Sequence, residues 1–215
     1  SILNGTRIGT CNKIYQGTVL GAEPQDFKFV GENSSTIIGN NNTIRENVVI
    51  NRATHTGKQT VIGNENCLME GAHVSHDTKI GNRCVLGYGT KIAGDCEIGN
   101  GVIFSSSVIE NAKTRVGDCV MIQAGTSFSK DVPPYITVGG RPVGYLGPNN
   151  TMLTIYGVSE KVTKHIANAY RLVFHWQNNA LDAAMQIVEQ VPDGEEIRNI
   201  VAFIRATKAG IISKM

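Results

Sequence analysis

An aliphatic or aromatic residue returns every six positions through the middle of this chain, at Ile62, Leu68, Val74, Ile80, Leu86, Ile92, Ile98, Phe104, Val116, Ile122 and Phe128. Glu110 alone breaks the series. Two residues before each member stands a mostly small side chain: Thr60, Ala72, Thr78, Cys84, Thr90, Cys96, Val102, Val108, Thr114, Val120 and Thr126, with Asn66 as the exception. A glycine followed by Asn or Asp marks every eighteenth residue, at Gly63-Asn64, Gly81-Asn82, Gly99-Asn100 and Gly117-Asp118. The pattern predicts a three-sided parallel β-helix in which each side points one large and one small residue inward. Gly, Asn and Asp serve the corners because they tolerate positive φ.

The same register runs upstream through Ile38, Ile44 and Ile50, and through Ile2, Ile8, Ile14 and Leu20. Two interruptions, residues 22–35 and 54–59, must bulge out as loops. Counting coils gives about six, a prism about 29 Å tall at roughly 4.8 Å per rung. The repeat is already running at residue 2 without a polar cap, so further coils are expected upstream. Downstream, Pro133-Pro134 within Asp131-Val132-Pro133-Pro134-Tyr135 remove two ladder donors and are expected to stop the β-helix. A Gly- and Pro-rich loop from Gly139 to Asn150 comes next. Ser159 then caps a helix carrying Val162, Ile166, Ala169, Tyr170 and Val173. A second helix follows Asn179 over Leu181 to Val191, and a third carries Ile197, Ile200, Val201 and Ile204 before Gly210. Two units are expected: the β-helix over 1–147 and an α-helical domain over 148–215.

Composition sets the outer limits. The 215 residues are 41% hydrophobic and only 6% aromatic, which suits a narrow repetitive interior. A net charge of +2 argues against nucleic acid as a partner. No transmembrane run or signal peptide is visible, so a cytoplasmic location without an integral membrane segment is expected. The five cysteines form no C-x-x-C pair, and Cys84 and Cys96 fall in the inward column as compact hydrophobes.

Histidine is scarce, and two of the five, His73 and His76, flank inward Val74 and must point outward. A solvated face accommodates such a pair. Metal binding lacks an evident third ligand, and none is expected. A general base fits the chemistry: a neutral imidazole titrates near neutral pH, and the adjacent Asp77 can fix its tautomer and stabilise the imidazolium. The insertion segment Ala22-Glu23-Pro24-Gln25-Asp26-Phe27-Lys28-Phe29 supplies a carboxylate, an amide and an ammonium between apolar anchors. Taken alone, it reads as a polar loop.

At these residues the chain resembles the acyl-carrier-protein-dependent UDP-N-acetylglucosamine O-acyltransferases that begin lipid A synthesis. The resemblance covers nearly the whole chain. It rests on Pro24-Gln25-Asp26-Phe27-Lys28, on Ile44-Arg45-Glu46-Asn47-Val48 to Asn51-Arg52, and on Gly71-Ala72-His73-Val74-Ser75-His76-Asp77. Asp131 to Tyr135 and Asn168-Ala169-Tyr170-Arg171 add to it. It implies left-handed coiling, an exception to the usual right-handed crossover, and a homotrimer with substrates between subunits. It further implies transfer of a 3-hydroxyacyl group from acyl carrier protein to the glucosamine 3-hydroxyl, with no cofactor beyond the carrier's phosphopantetheine. Residue by residue, the resemblance makes His76 the general base, Asp77 its orienting carboxylate and the Gly94 N–H the oxyanion donor. Gln25, Asp26, Lys28 and His73 match substrate contacts, Asn149 matches a nucleotide contact, and Ala124 with Met121 matches the acyl-chain ruler.

The departures cluster at the nucleotide end. Asn111-Ala112 replaces a His-Gln pair, Asp95 replaces a His, and Thr151, Ile155 and Tyr156 replace an acidic and basic residues. With Glu110 adjacent, that corner is expected to be rebuilt. Two other readings stay open at this point: a sugar N-acyl- or acetyltransferase on the same scaffold, and a non-catalytic trimeric relative without nucleotide binding.

Overall fold

The computed structural model describes residues 1–174 and 179–214. Its strands stack into three parallel sheets that form the sides of a prism. One side holds six strands, from Thr6–Ile8 to Arg115–Val116, and another six from Val19–Ala22 to Ser127–Phe128. The third begins with Lys13–Ile14 and reaches nine strands by adding Ile136–Gly139, Gly144–Pro148 and Ser213–Lys214. Register follows the eighteen-residue period, with Lys79 opposite Glu97 and His73 opposite Lys91.

The inward columns are buried as their period requires, from Ile62 and Leu68 to Ile122 and Phe128. Both exceptions also point inward. Asn66 is 1% exposed and fully engaged: its N–H donates to Asn42 Oδ1 at 2.8 Å, its Oδ1 accepts from Cys84 N at 2.7 Å, and its amide nitrogen donates to the Gly81 carbonyl. Glu110 is completely buried and stays in register with Ile92 and Phe128. The expectation of a rebuilt corner is therefore corrected, since the ladder accepts a carboxyl in place of an aliphatic group. Burial pushes that carboxyl up to about 8 against the hydrogen bonds from Thr114 and Cys96. It is thus held in the protonated form that a closed apolar interior favours.

The prolines do not end the coil where the sequence suggested. Pro133 and Pro134 occupy a corner, where the ladder needs no N–H, and Tyr135 turns it with φ 69°. The strand Ile136–Gly139 then pairs in parallel with Met121–Ile122. Termination comes at an antiparallel return over Gly144–Pro148.

Among the described residues four helices close this end: α1 (Asn150–Ile155), α2 (Glu160–Phe174), α3 (Ala180–Gln190) and α4 (Glu195–Arg205). The sequence missed α1 because its six residues carry only two buried side chains, Met152 and Leu153, too few to show a period. The tail is joined to the prism by polar and aromatic contacts. Tyr170 donates to the Pro134 carbonyl, Asn199 donates to Tyr135 and Asp118, and Tyr145 stacks on Phe174 with ring centroids 4.5 Å apart. Among the described residues no helix is long and apolar enough to cross a membrane.

Candidate active site

One prism corner stacks His76-Asp77, Gly94-Asp95 and Ala112-Lys113. Asp77, Asp95 and Lys113 each turn it with φ between 60° and 66°. The Asp95 N–H donates to the His76 carbonyl and the Lys113 N–H to the Gly94 carbonyl, both at 3.0 Å, so each coil fixes the height of the one above. This scaffold positions the imidazole.

His76 Nδ1 lies 3.0 Å from Asp77 Oδ2, which requires the neutral ring to carry its proton on Nδ1 and leaves Nε2 as the basic nitrogen. Each side chain is 13% exposed. Burial raises the Asp77 carboxyl, but hydrogen bonds from the Thr54 hydroxyl and N–H, together with His76, outweigh it and hold the group below its ordinary range. Asp77 is thus a carboxylate at neutral pH, ready to stabilise an imidazolium.

Gly94 is the surface against which the ring lies. A Cβ there would come within 2.6 Å of His76 Nε2, so any larger residue displaces the imidazole. Among the described residues nothing accepts from the Gly94 N–H. The Gly94 N–H is thus a donor left unused by the fold in the residue that the ring packs against.

The first insertion completes the site from above. Asp26 Oδ2 stands 3.9 Å from His76 Nε2, and Asp26 Oδ1 accepts from the Lys28 N–H, while Gln25 and the Lys28 side chain are exposed. His73 faces outward on the strand just before the corner. Its imidazole is held below its ordinary range by burial, with Lys91 and His76 adding to the effect, so it presents one donor and one acceptor. On the Asp77 side, a cleft of about 440 Å³ is lined by His55, Lys58, Asp77, Lys79, Asp95 and Glu97.

His76, Asp77, Gly94, Asp26 and His73 are therefore gathered within one corner. Ala124 and Met121 are not. The sheet carries His73 to Ser127 in three parallel steps through Lys91 and Ile109, about 14 Å along the prism axis at about 4.8 Å per step. Exposed Ala124 lies at the corner leading into Ser127, and Met121 is half-buried on the neighbouring side.

Asn149 lies at the start of α1. It is 5% exposed, its amide nitrogen donates to the Cys119 carbonyl, and its Oδ1 caps α1 through the Met152 N–H. Each end of the side chain makes one bond within the fold. Of the divergent positions, Ala112 lies at the same corner as His76, Ile155 is exposed on α1, and Tyr156 packs its hydroxyl against Gly101.

Sequence reasoning missed Thr54, whose N–H and hydroxyl both bind Asp77 Oδ2, at 3.0 and 2.6 Å. It stands 23 residues away inside a segment read as a plain loop, and no motif marks it. Among the described residues no group of three or more His, Cys, Asp or Glu is disposed to hold a metal ion.

The chain is similar to known proteins along its whole length. The family description "Udp N-acetylglucosamine O-acyltransferase; Domain 2" matches residues 131–212, and "Bacterial transferase hexapeptide (six repeats)" matches 59–94. The acyl-[acyl-carrier-protein]–UDP-N-acetylglucosamine O-acyltransferase of Xanthomonas campestris pv. campestris is 37% identical over 99% of this chain and 81% of its own length. The Myxococcus xanthus protein of that name is 32% identical over 96% of this chain and 80% of its own. Among solved structures, the LpxA UDP-N-acetylglucosamine acyltransferase of Bacteroides fragilis superimposes with TM-score 0.96 at 48% identity, covering 98% of this chain and 83% of that one. The Francisella novicida UDP-N-acetylglucosamine acyltransferase gives 0.93 at 28% identity, covering 99% and 85%. The fold is the left-handed parallel β-helix with a helical tail.

Proposed function

Because the chain belongs to the acyl-carrier-protein-dependent UDP-N-acetylglucosamine O-acyltransferase family, we propose that it moves a 3-hydroxyacyl chain from the phosphopantetheine thioester of acyl carrier protein to the 3-hydroxyl of UDP-N-acetylglucosamine. This is the first step of lipid A biosynthesis. The observation that carries the reading is the His76 ring, held at Nδ1 by Asp77 and packed against Gly94, whose N–H has no acceptor among the described residues.

The chemistry follows from that arrangement. Nε2 takes the hydroxyl proton as the sugar oxygen attacks the thioester carbonyl, and Asp77 stabilises the imidazolium that forms. Negative charge develops on the carbonyl oxygen, where the Gly94 N–H meets it. Collapse of the tetrahedral intermediate breaks the carbon–sulfur bond, and the imidazolium returns its proton to the departing thiolate. The thioester supplies the driving force, so no cofactor is needed.

Gln25, Asp26, Lys28 and neutral His73 hold the sugar, and the acyl chain runs along the prism toward Met121 and Ala124. Phe27 and Val30, at 109% and 87% exposure on the same loop, suit burial against a neighbouring copy, which supports a homotrimer with the groove between subunits. The reading also places the enzyme in the cytoplasm, where carrier and nucleotide sugar meet.

The test is mass analysis of products from purified protein given a panel of acyl-carrier donors and UDP-sugars. An ester of UDP-N-acetylglucosamine supports the proposal. Amide formation on an amino sugar indicates the N-acyltransferase, and no saturable UDP-sugar binding at millimolar ligand indicates a non-catalytic relative.

A further inference from the structure

Three donors converge on one oxygen of Asp77: His76 Nδ1 at 3.0 Å, the Thr54 N–H at 3.0 Å and the Thr54 hydroxyl at 2.6 Å. Among the described residues the other carboxylate oxygen has no partner. The Asp77 carboxylate is therefore anchored through a single atom, and two of its three bonds come from Thr54, itself 4% exposed. Without them the carboxylate can rotate toward the adjoining cleft.

Thr54 ends a strip whose other members grip the acceptor loop. The Asn51 amide donates to the Glu23 carbonyl at 2.6 Å, and the Arg52 N–H donates to the Ala22 carbonyl at 2.8 Å. The Arg52 guanidinium lies 5.1 Å over the Phe29 ring, and the Ala53 carbonyl accepts from the Ser34 hydroxyl. That loop carries Asp26, the group facing the other nitrogen of His76. One four-residue strip thus fixes what stands on both sides of the imidazole.

We propose that Thr54 is a positioning residue for the reaction, fixing the Asp77 carboxylate so that it holds the Nδ1 side of His76 while the strip it ends sets the acceptor loop over the Nε2 side. The proposal rests on the preceding reading of His76 as the base.

The test is the pH dependence of kcat/KM. Removing the hydroxyl lets the Asp77 carboxylate turn from Nδ1, so the imidazolium loses part of its stabilisation. The acid limb should move to lower pH. The other charged and titratable groups around the pair are Asp26 from the loop, His73 from the strand, and His55, Lys58, Lys79, Asp95 and Glu97 across the cleft. All are unchanged by the substitution.

Thr54→Val should lower kcat/KM about tenfold, the value of one hydrogen bond to a charged group, and shift the acid limb to lower pH. Thr54→Ala, which avoids the branched side chain, should do the same, and Thr54→Ser should restore both height and midpoint. A merely structural loss scales the whole profile without moving its midpoint. That result, or a Thr54→Ser enzyme no better than Thr54→Val, overturns the proposal. His76→Ala measured alongside separates the two readings: if it keeps turnover the assigned base fails, whereas if it is inactive and the Thr54→Val midpoint is unmoved only the role of Thr54 fails.

Discussion

Gly94 and His76 are in such close register that a methyl group on residue 94 would stand 2.6 Å from the Nε2 atom of the imidazole. Packing and chemistry coincide there, because the atom that leaves room for the ring belongs to the residue offering the free N–H. Gly94→Ala should therefore push the ring aside and remove the oxyanion geometry together. Loss of an oxyanion donor costs about 10²–10³ in kcat, and at least that is expected. The displaced group is a side chain at the surface, so the thermal midpoint should change little. An enzyme inactive only because it is unfolded would show the opposite.

Asp77→Asn tests the charge beside the imidazole. The Thr54 donors require the amide oxygen at the Oδ2 place, so it still accepts from Nδ1, but no carboxylate charge remains to stabilise the imidazolium. A drop of about 10²–10⁴ in kcat is expected, the range in which positioned base catalysis operates, with KM for the sugar nearly unchanged. Steady-state kinetics on the folded variant distinguishes this from weakened binding.

Ala124→Gly tests the ruler. Removing the exposed methyl at the corner about 14 Å from the catalytic coil should move preference toward longer acyl chains. Competition between acyl-carrier donors of different length reads it directly, and an unchanged profile would refute the assignment.

Glu110 makes stability depend on pH. Its carboxyl titrates near 8 in the fold against an ordinary 4.5. Between those values the unfolded chain binds fewer protons than the folded one, so stability is full below about pH 4.5 and is lost as pH rises through about 8. Glu110→Gln retains an acceptor for the Thr114 hydroxyl and removes the titration. Its thermal midpoint should exceed that of the parent increasingly from pH 5 to pH 8. Parallel curves would show that the buried carboxyl does not govern the slope.

These cases show what a sequence carries and what it omits. The prism was legible because stacking like on like repeats one local rule, and Ile62 through Phe128 obey it. The His76–Asp77 pair was legible for a similar reason, since adjacent residues at a left-handed corner are brought together by local geometry. Thr54 was hidden because its partnership with Asp77 exists only after a coil closes. Pro133 and Pro134 misled because a proline's cost depends on whether its N–H would enter the ladder, and at a corner it does not.

The most direct measurement is the turnover of His76→Ala beside the parent enzyme, with 3-hydroxyacyl carrier protein and UDP-N-acetylglucosamine, at matched folded concentration. The account predicts an O-acylated nucleotide sugar from the parent and a rate lower by about 10² to 10⁴ from the variant, the contribution of a positioned base. A variant that keeps most of the parent's rate would contradict it.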